Sequence, residues 1–294
     1  MMIRDLVTPF AAFAAAPAGD DLVGRWRAQV VEPHAELHRA IAPWLDPADA
    51  ARQLPDLVQR RADLVSRGRR AHEAVQRAAV LLRQVLPDAG AVDAVVLVGL
   101  GRANGWATAV SGVPTLFIAV DKLPEPGYDV ALALHELLHA EHLRRAARDW
   151  PEDRVDADLF REGLAVHLTA RLLPEIDASG QLWFEAGQDG WIDRCARAEP
   201  VLRHRALAEL RRSDVSTRWF SGASDRVGEL PGRCGYWLGW RLVEHLLADT
   251  PLEVALHWSL PDVSTRLQHL LELPNGCSDV SGSAGSAADP ASRR

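Results

Sequence analysis

The sequence of 294 residues predicts an α-rich α+β fold, in which an N-terminal helical portion is followed by a small sheet and further helices. Apolar residues recur at helical spacing through residues 20–88, with polar faces between them. Two short β-branched and apolar runs, at 91–100 and 114–120, are bounded by Gly, Asn and Pro, which is typical of strands. Helical patterns return from Asp129 onward, so helices are expected to predominate.

Changes in composition divide the chain into three parts. Residues 1–90 are the N-terminal helical portion, which ends at a Pro-Asp-Ala-Gly break. Residues 91–274 carry the predicted strands and the motifs described below, and they are predicted to form one further domain. Residues 275–294 consist largely of Ser, Gly, Ala and Asp, so this tail is predicted to be disordered.

Three helices stand out in the second part of the chain. Asp129 can cap a helix that runs to about Arg148, and Pro151 and Asp156 precede a second helix that is predicted to end near Pro174. The clearest of the later helices covers Gly235–Leu247.

Charge and hydropathy limit the classes of partner. The net charge of −7 offers no basic excess to replace the counterions of a nucleic acid, so no nucleic-acid partner is expected. No apolar run approaches the ~18 residues that a membrane helix needs, so no membrane partner is expected.

The cysteine count bears on the compartment. Cys195, Cys234 and Cys277 do not make a disulfide framework, because their number is odd and no C-x-x-C spacing occurs. These cysteines favour a reducing compartment, and a single Cys195–Cys234 disulfide is the alternative.

The start of the chain also bears on the compartment. Residues 6–16 resemble a short signal peptide, but Asp5 offsets the charge of Arg4 and Pro9 interrupts the apolar stretch. The cytoplasm is therefore the expected location, and secretion is the alternative.

The most informative stretch is His135-Glu136-Leu137-Leu138-His139. Residues four apart on a helix lie on one face, with Cβ atoms about 5–6 Å apart, so His135 and His139 can converge on one ion. Glu136 points to a neighbouring sector, where it can take a proton from a metal-activated water. The helix is apolar on nearly every side, and buried polar side chains are costly unless they are paired or coordinated. The pattern predicts a zinc site with a catalytic base. The alternative is a core helix whose histidines bond to backbone carbonyls.

A catalytic zinc needs a third protein ligand and one open position. The metzincin pattern is excluded, because it requires glycine at position 142 and histidine at position 145, where this chain has His142 and Arg145. Glu162 borders the apolar stripe of the next helix, and a carboxylate in that place needs a cation. Gly163 beside it allows two helices to approach closely. Glu162 is therefore the predicted third ligand.

Other polar side chains near these helices are rival ligands. Asp156 and Asp158 lie on the first turn of their helix, where they complement the helix dipole. His167 would complete a three-histidine site. His142, one turn after His139 on the same face, is expected near the site or at the surface and outside the ligand set.

With these motifs placed, the chain resembles the gluzincin-type metallopeptidases, in which HExxH on one helix is completed by a glutamate on the next. It looks closest to a bacterial family of predicted zinc-dependent proteases, marked by HExxH, then EGLA, then a Gly-Tyr-rich helix. The matching segments are His135–His139, Glu162-Gly163-Leu164-Ala165 and Gly235-Tyr236-Trp237-Leu238-Gly239. The segment 96–106 also looks familial, and the resemblance covers roughly residues 91–250.

The resemblance implies a zincin-like metallopeptidase fold for residues 91–274, with an edge strand of the sheet bordering the cleft. It implies Zn²⁺ held by His135, His139 and Glu162, with Glu136 as general base. The implied reaction is hydrolysis of amide bonds in a peptide or protein substrate.

An oxyanion stabiliser is also expected, because negative charge develops on the scissile carbonyl. Tyr236 stands where the family has a tyrosine, and the alternative is a core aromatic packed against Trp240. Arg233 and His204 are further candidates.

One departure from the family pattern keeps a second class of function open. Gluzincins often carry an acidic residue one turn after the ligand glutamate, where this chain has Val166. The partner of a zinc histidine must then come from elsewhere, such as Asp158 or a backbone carbonyl. The alternative function is a non-hydrolytic zinc-binding module that retains the site for stability or partner recognition. The intact Glu136 favours the hydrolase, because a structural site does not need that residue.

Residues 96–105 also resemble a dinucleotide-binding turn, with Asp121 following at a suitable distance. A βαβ crossover needs about a dozen residues or more, mostly helical. The segment from Gly105 to Val113 has only nine residues, and Pro114 follows it, so a hairpin or an irregular edge is predicted there.

Overall fold

The computed structural model describes residues 1–16, 21–41, 47–90, 92–146, 150–151, 153–221 and 230–273. Over these ranges the protein is α+β and helix-rich, with a small mixed sheet, which confirms the predicted class. The tail predicted to be disordered, residues 275–294, lies outside the described residues, as do Arg148 and Cys277.

The described strands form one four-stranded sheet. They are β1 (Ile3–Asp5), β2 (Asp93–Leu97), β3 (Gly105–Val110) and β4 (Val113–Ala119). Their order is β1-β2-β4-β3, with β1, β2 and β4 parallel and β3 antiparallel to β4 at one edge. β2 and β4 are the two predicted apolar runs, and their continuous apolar sequences suit central strands buried on both faces.

A tight hairpin joins β3 to β4. Ser111 and Gly112 form its turn with φ values of 48° and 82°, and positive φ at both positions is what a type I′ turn requires. Pro114 opposes Ala109, a pair position at which no ladder hydrogen bond is made. The predicted hairpin is therefore confirmed, and no helical crossover separates the two strands.

The turn after β2 does not offer free amides to a phosphate. Gly99 donates its N–H to Asp121 Oδ1 at 2.5 Å, and Gly101 donates to Oδ2 at 2.6 Å. A dinucleotide-binding turn needs such amides for the ligand. The carboxylate of Asp121 occupies them and would repel a phosphate, so the nucleotide alternative has no support here.

The N-terminal segment belongs to the core. β1 pairs with β2, and Asp5 then accepts the backbone N–H of Val7 at 2.7 Å, at the start of α1 (Val7–Ala15). Phe10 and Phe13 on α1 are each 1% exposed. Residues 3–15, which include most of the stretch that resembles a signal peptide, thus supply a strand and two core aromatics. In the described part of the chain, no helix is both long enough and apolar enough to cross a membrane.

The described residues in 21–41 and 47–85 are mostly helical, as their periodicity predicts. The α-helices are α2 (Leu22–Trp26), α3 (Ala35–Ala40), α4 (Pro47–Gln59) and α5 (Arg61–Val85). A π-helical turn (Arg27–Val31) and a 3₁₀ turn (Glu32–His34) link α2 to α3, and a further 3₁₀ turn (Val120–Lys122) follows β4. α5 packs against the helix that carries the HExxH motif, so this portion and the remainder share one hydrophobic core.

Eight further α-helices are described after β4. They are α6 (Asp129–Arg145), α7 (Val155–Leu172), α8 (Ala178–Trp183), α9 (Asp189–Glu209), α10 (Ser216–Phe220), α11 (Cys234–Leu246), α12 (Leu252–Ala255) and α13 (Leu260–Glu272). The three predicted helices correspond to α6, α7 and α11. α6 and α11 begin within one residue of their predicted starts, and α7 begins at Val155, one residue before the Asp156 that was expected to precede it.

α7 and α11 pack backbone against backbone at a pair of glycines. A Cβ added to Gly163 would lie 2.2 Å from the carbonyl oxygen of Gly239, and one added to Gly239 would lie 2.4 Å from that of Leu159. The close approach expected at Gly163 therefore occurs, with α11 as the partner helix. This crossing fixes the position of Glu162 on α7 relative to that of Tyr236 on α11.

Gly163→Ala is expected to destabilise the protein by about 3 kcal/mol, because the new methyl group overlaps backbone atoms that no rotamer change can move. The measurement is the free energy of unfolding in urea. Gly190→Ala on α9 is the matched control, since the nearest atom to its added Cβ is Arg194 Nη1 at 3.8 Å. It should leave stability unchanged or raise it slightly. An unfolding free energy for Gly163→Ala equal to the control's would contradict the crossing.

Candidate metal centre

Helices α6 and α7 bring three predicted side chains together. His135 Nε2 lies 3.1 Å from Glu162 Oε2 and 3.1 Å from His139 Nε2, and His139 Nε2 lies 3.4 Å from Glu162 Oε2. Over the ranges that the structure describes, these three residues are the group of His, Cys, Asp and Glu side chains that could hold a metal ion.

The triangle formed by these three atoms is close in size to that of three ligand atoms around one tetrahedral metal ion. With zinc–ligand distances of about 2.0–2.1 Å, tetrahedral coordination places ligand atoms about 3.3–3.4 Å apart. The sides of the observed triangle are 3.1, 3.1 and 3.4 Å. Two imidazole nitrogens and one carboxylate oxygen also form a known donor set of catalytic zinc, which leaves a fourth position for water or substrate.

The site is buried on one side and open on the other. His135 is 3% exposed and Glu136 is 7% exposed. The side chains of His139 and Glu162 are 16% and 21% exposed, so they form the open side. Two carboxylates and two imidazoles in such surroundings are costly without a cation to pair with them.

The charges within the triangle favour ligation. Burial opposes ionisation of Glu162, but His139 and His135 outweigh it and hold the pKa of this carboxyl well below its usual range. Burial lowers the pKa of His135, which keeps its ring neutral. Metal ligands must be deprotonated, and both residues meet that condition.

His139 is expected to make zinc binding depend on pH. Burial acts to lower its pKa, but the Glu162 and Glu136 carboxylates outweigh burial and raise it. A raised pKa means that the ring keeps its proton to higher pH, and this proton competes with the metal for Nε2. Zinc should therefore bind more weakly, with a higher Kd, at about pH 6 than at about pH 8. Competition with a chelator measures this Kd. Equal Kd values would contradict this role of His139.

Glu136 lies between the site and the edge of the sheet. Burial raises the pKa of Glu136 to about 7, and Glu162 adds to the shift while His139 opposes it. A Cβ added to Gly105 on β3 would lie 2.7 Å from Glu136 Cγ, so the edge strand passes directly over this carboxyl. The sequence alone gives Gly105 no role at the site, and its place in an Asn-Gly pair before a strand is the available signal.

Tyr236 faces the metal centre from α11. Its ring centroid lies 6.5 Å from that of His135 and 5.3 Å from that of Phe220. Burial raises the pKa of Tyr236, and the nearby Glu162 raises it further, so the phenol is neutral and can donate a hydrogen bond. Phe184, which no motif in the sequence marks, also faces the site, with its ring centroid 5.5 Å from that of His135.

The rival ligands lie elsewhere. Asp156 accepts hydrogen bonds from Arg154 and Ser264, and His167 is outside the ligand group. His142 packs edge-on against Trp150, with ring centroids 4.7 Å apart, and burial lowers its pKa to about 3. His142 is thus a core residue next to the site.

Asp158, one of the residues expected to accept a hydrogen bond from a proposed zinc histidine, is bonded elsewhere. Its carboxylate accepts hydrogen bonds from Arg161 and Ser216. The Nδ1 atom of His135 is buried and has no hydrogen-bond partner among the residues described. The departure at Val166 is therefore not compensated by Asp158.

The cysteine bridge that the sequence left open is not formed. Cys195 and Cys234 are both buried and free. Burial raises the pKa of each thiol to about 12, so both are protonated.

No family model matches the chain, and neither a curated protein nor a solved structure shows significant similarity to it.

Proposed function

We propose that this protein is a zinc-dependent metallopeptidase with a zincin-like fold, which hydrolyses peptide bonds in a peptide or protein substrate. The convergence of His135, His139 and Glu162 on one point, with Glu136 beside it, is the observation that carries the proposal. A purely structural zinc site would close its fourth position and would not need an adjacent buried carboxyl.

Zinc, when bound by the two histidines and Glu162, would polarise the scissile carbonyl and lower the pKa of the attacking water to about 7. Glu136 accepts a proton from that water and later donates it to the leaving amine. Its pKa of about 7 suits a group that must do both near neutral pH. Tyr236 donates a hydrogen bond to the carbonyl oxygen as negative charge develops there.

The edge of the sheet supports an extended substrate. Asn104 O accepts the N–H of Ala119 at 2.9 Å, so alternate residues from there along β3 bond to β4. The residues between them, Gly105, Ala107 and Ala109, direct their backbone N–H and C=O groups away from β4, and the Gly105 N–H donates to Asn104 Oδ1 at 3.0 Å. A peptide could pair with this edge as an added strand, with its backbone passing Glu136.

We place this activity in the cytoplasm. The free, buried thiols of Cys195 and Cys234 support a reducing compartment.

Metal analysis of the purified protein, combined with a peptide-library assay, tests the proposal. We expect one zinc per chain, cleavage of at least one library peptide, loss of cleavage after chelation and its return with added zinc. Melting curves of the apo and zinc-loaded forms complete the test. Zinc that raises the melting temperature without any cleavage would identify the non-hydrolytic module instead, and absence of bound zinc would contradict both.

A further inference from the structure

Arg233 lies beside the proposed metal centre, between two aromatic rings. Its guanidinium carbon is 4.5 Å from the ring centroid of Trp183 and 4.4 Å from that of Tyr236. Tyr236 lies 6.5 Å from the ring of His135, and Phe184, the neighbour of Trp183 in the chain, lies 5.5 Å from it. The guanidinium is therefore held by two chain segments that both contact a proposed zinc ligand.

The backbone of these two segments is fixed in an uncommon conformation. Arg233 has φ of 60° and Phe184 has φ of 56°, in the left-handed region that residues other than glycine rarely adopt. Trp191 Nε1 donates to the carbonyl of Gly232 at 2.7 Å, and Arg233 Nη2 donates to the carbonyl of Leu182 at 3.3 Å. Phe184 is the C-cap of α8, where a left-handed residue is common, and these two bonds fix the segments against each other.

The charge of Arg233 has no acidic partner in the part of the chain that the structure describes. Other arginines nearby are paired: Arg205 lies 3.1 Å from Glu209, and Arg241 pairs with Glu244 on the same helix. The Nε atom of Arg233 is buried and has no hydrogen-bond partner among the described residues. A partly buried guanidinium without an anion is costly, and its planar donors match the two oxygens of a carboxylate.

We propose that Arg233 binds a carboxylate of the peptide substrate and thereby selects the substrate. This inference rests on the proposed peptidase function. The carboxylate is either the free C-terminus or an Asp or Glu side chain, since both have the same chemistry. The distances from the guanidinium to the Tyr236 ring and from that ring to the His135 ring place the guanidinium within about 11 Å of the His135 ring. An extended residue spans about 3.3–3.6 Å. The carboxylate should therefore lie within about three residues of the scissile bond.

Two sets of fluorogenic peptides test this selection. One set compares a free with an amidated C-terminus, and the other compares Glu with Gln at each of the three positions on either side of the cleaved bond. With the zinc-loaded wild type, we expect kcat/KM to favour the carboxylate by about 10- to 100-fold in one set, the size of one charge-assisted hydrogen bond. The set that shows the preference identifies the source of the carboxylate. In Arg233→Met the ratio should fall to about one.

Arg241→Met is the matched control, because Arg241 lies on α11, the helix that Arg233 precedes, and already pairs with Glu244. It should keep the wild-type ratio. Arg233→Lys keeps the charge without the planar donors, so it should retain part of the preference. Melting curves of each variant show whether it folds.

Calorimetry on the metal-free protein separates this inference from the proposed function. Acetyl-dialanine with a free carboxylate is compared with its amide, and acetyl-glutamate amide is compared with acetyl-glutamine amide. The inference would be supported if one carboxylate compound bound, its neutral amide did not, and Arg233→Met abolished the binding. This result would hold even if the wild type cleaved no peptide and the proposed function failed. Cleavage without any carboxylate preference, or a preference that Arg233→Met keeps, would overturn it while leaving the proposed function intact. The inference would also be overturned if cleavage showed no carboxylate preference and calorimetry showed no carboxylate binding.

Discussion

Glu136→Gln is expected to abolish peptide hydrolysis while zinc stays bound. The glutamine amide has the shape of the carboxyl group but cannot accept a proton from the attacking water. General-base catalysis contributes about 10²–10⁴-fold, so kcat should fall by about that factor. Zinc should be retained, because Glu136 lies outside the triangle of ligand atoms formed by His135, His139 and Glu162. The measurements are kcat on a cleaved library peptide and zinc content per chain.

Glu175→Gln is the control for this change, because Glu175 is exposed and lies beyond the end of α7. It makes the same chemical substitution and should leave kcat and zinc content at wild-type values. Turnover that survives in Glu136→Gln would show that the base is another group. Loss of zinc from that variant would show instead that Glu136 helps to hold the metal.

Glu162→Ala is expected to remove zinc and activity together. Removing residues that only support a ligand typically weakens metal affinity about 10–100-fold, so loss of a ligand should exceed about 100-fold. The alanine variant also leaves His135 and His139 without the carboxylate that faces both rings at 3.1 and 3.4 Å. The Kd for zinc, measured by competition with a chelator, is the direct readout.

Asp158→Asn is the matched control on the same helix, one turn before Glu162. Asp158 is bonded to Arg161 and Ser216, and an asparagine can still accept hydrogen bonds there. This variant should bind zinc as the wild type does. If Asp158→Asn lost zinc and Glu162→Ala kept it, the third ligand would be misassigned.

Local periodicity explains why much of the candidate site could be predicted. The spacing of His135 and His139 places both rings on one helix face whatever the surrounding fold. Glu162 was predicted from its position beside an apolar stripe. The structure places all three side chains within 3.4 Å of one another, although their role as zinc ligands stays a prediction. β2 and β4 were likewise visible as short apolar runs between breakers.

Contacts between distant parts of the chain explain what could not be predicted. β1 has only three residues, and it is a strand because β2 lies beside it. The outward edge of β3 and its passage over Glu136 depend on the hairpin register and on the packing of α6. The bonds from Gly99 and Gly101 to Asp121 span about twenty residues, and no local pattern specifies them.

The sequence by itself determined the helical character of residues 20–88, helices α6, α7 and α11, the two central strands, and the placing of His135 and His139 on one helix face. Each of these depends on residues within a few turns of one another. Helix α1 and the individual helices α8, α9, α10, α12 and α13 were not predicted. Only the tertiary structure decided that α11 crosses α7 at Gly163 and Gly239, and that Tyr236 and Arg233 thereby face His135. The physical reason is that helix spacing is a local property of the backbone, whereas the meeting of two helices depends on how the whole core packs.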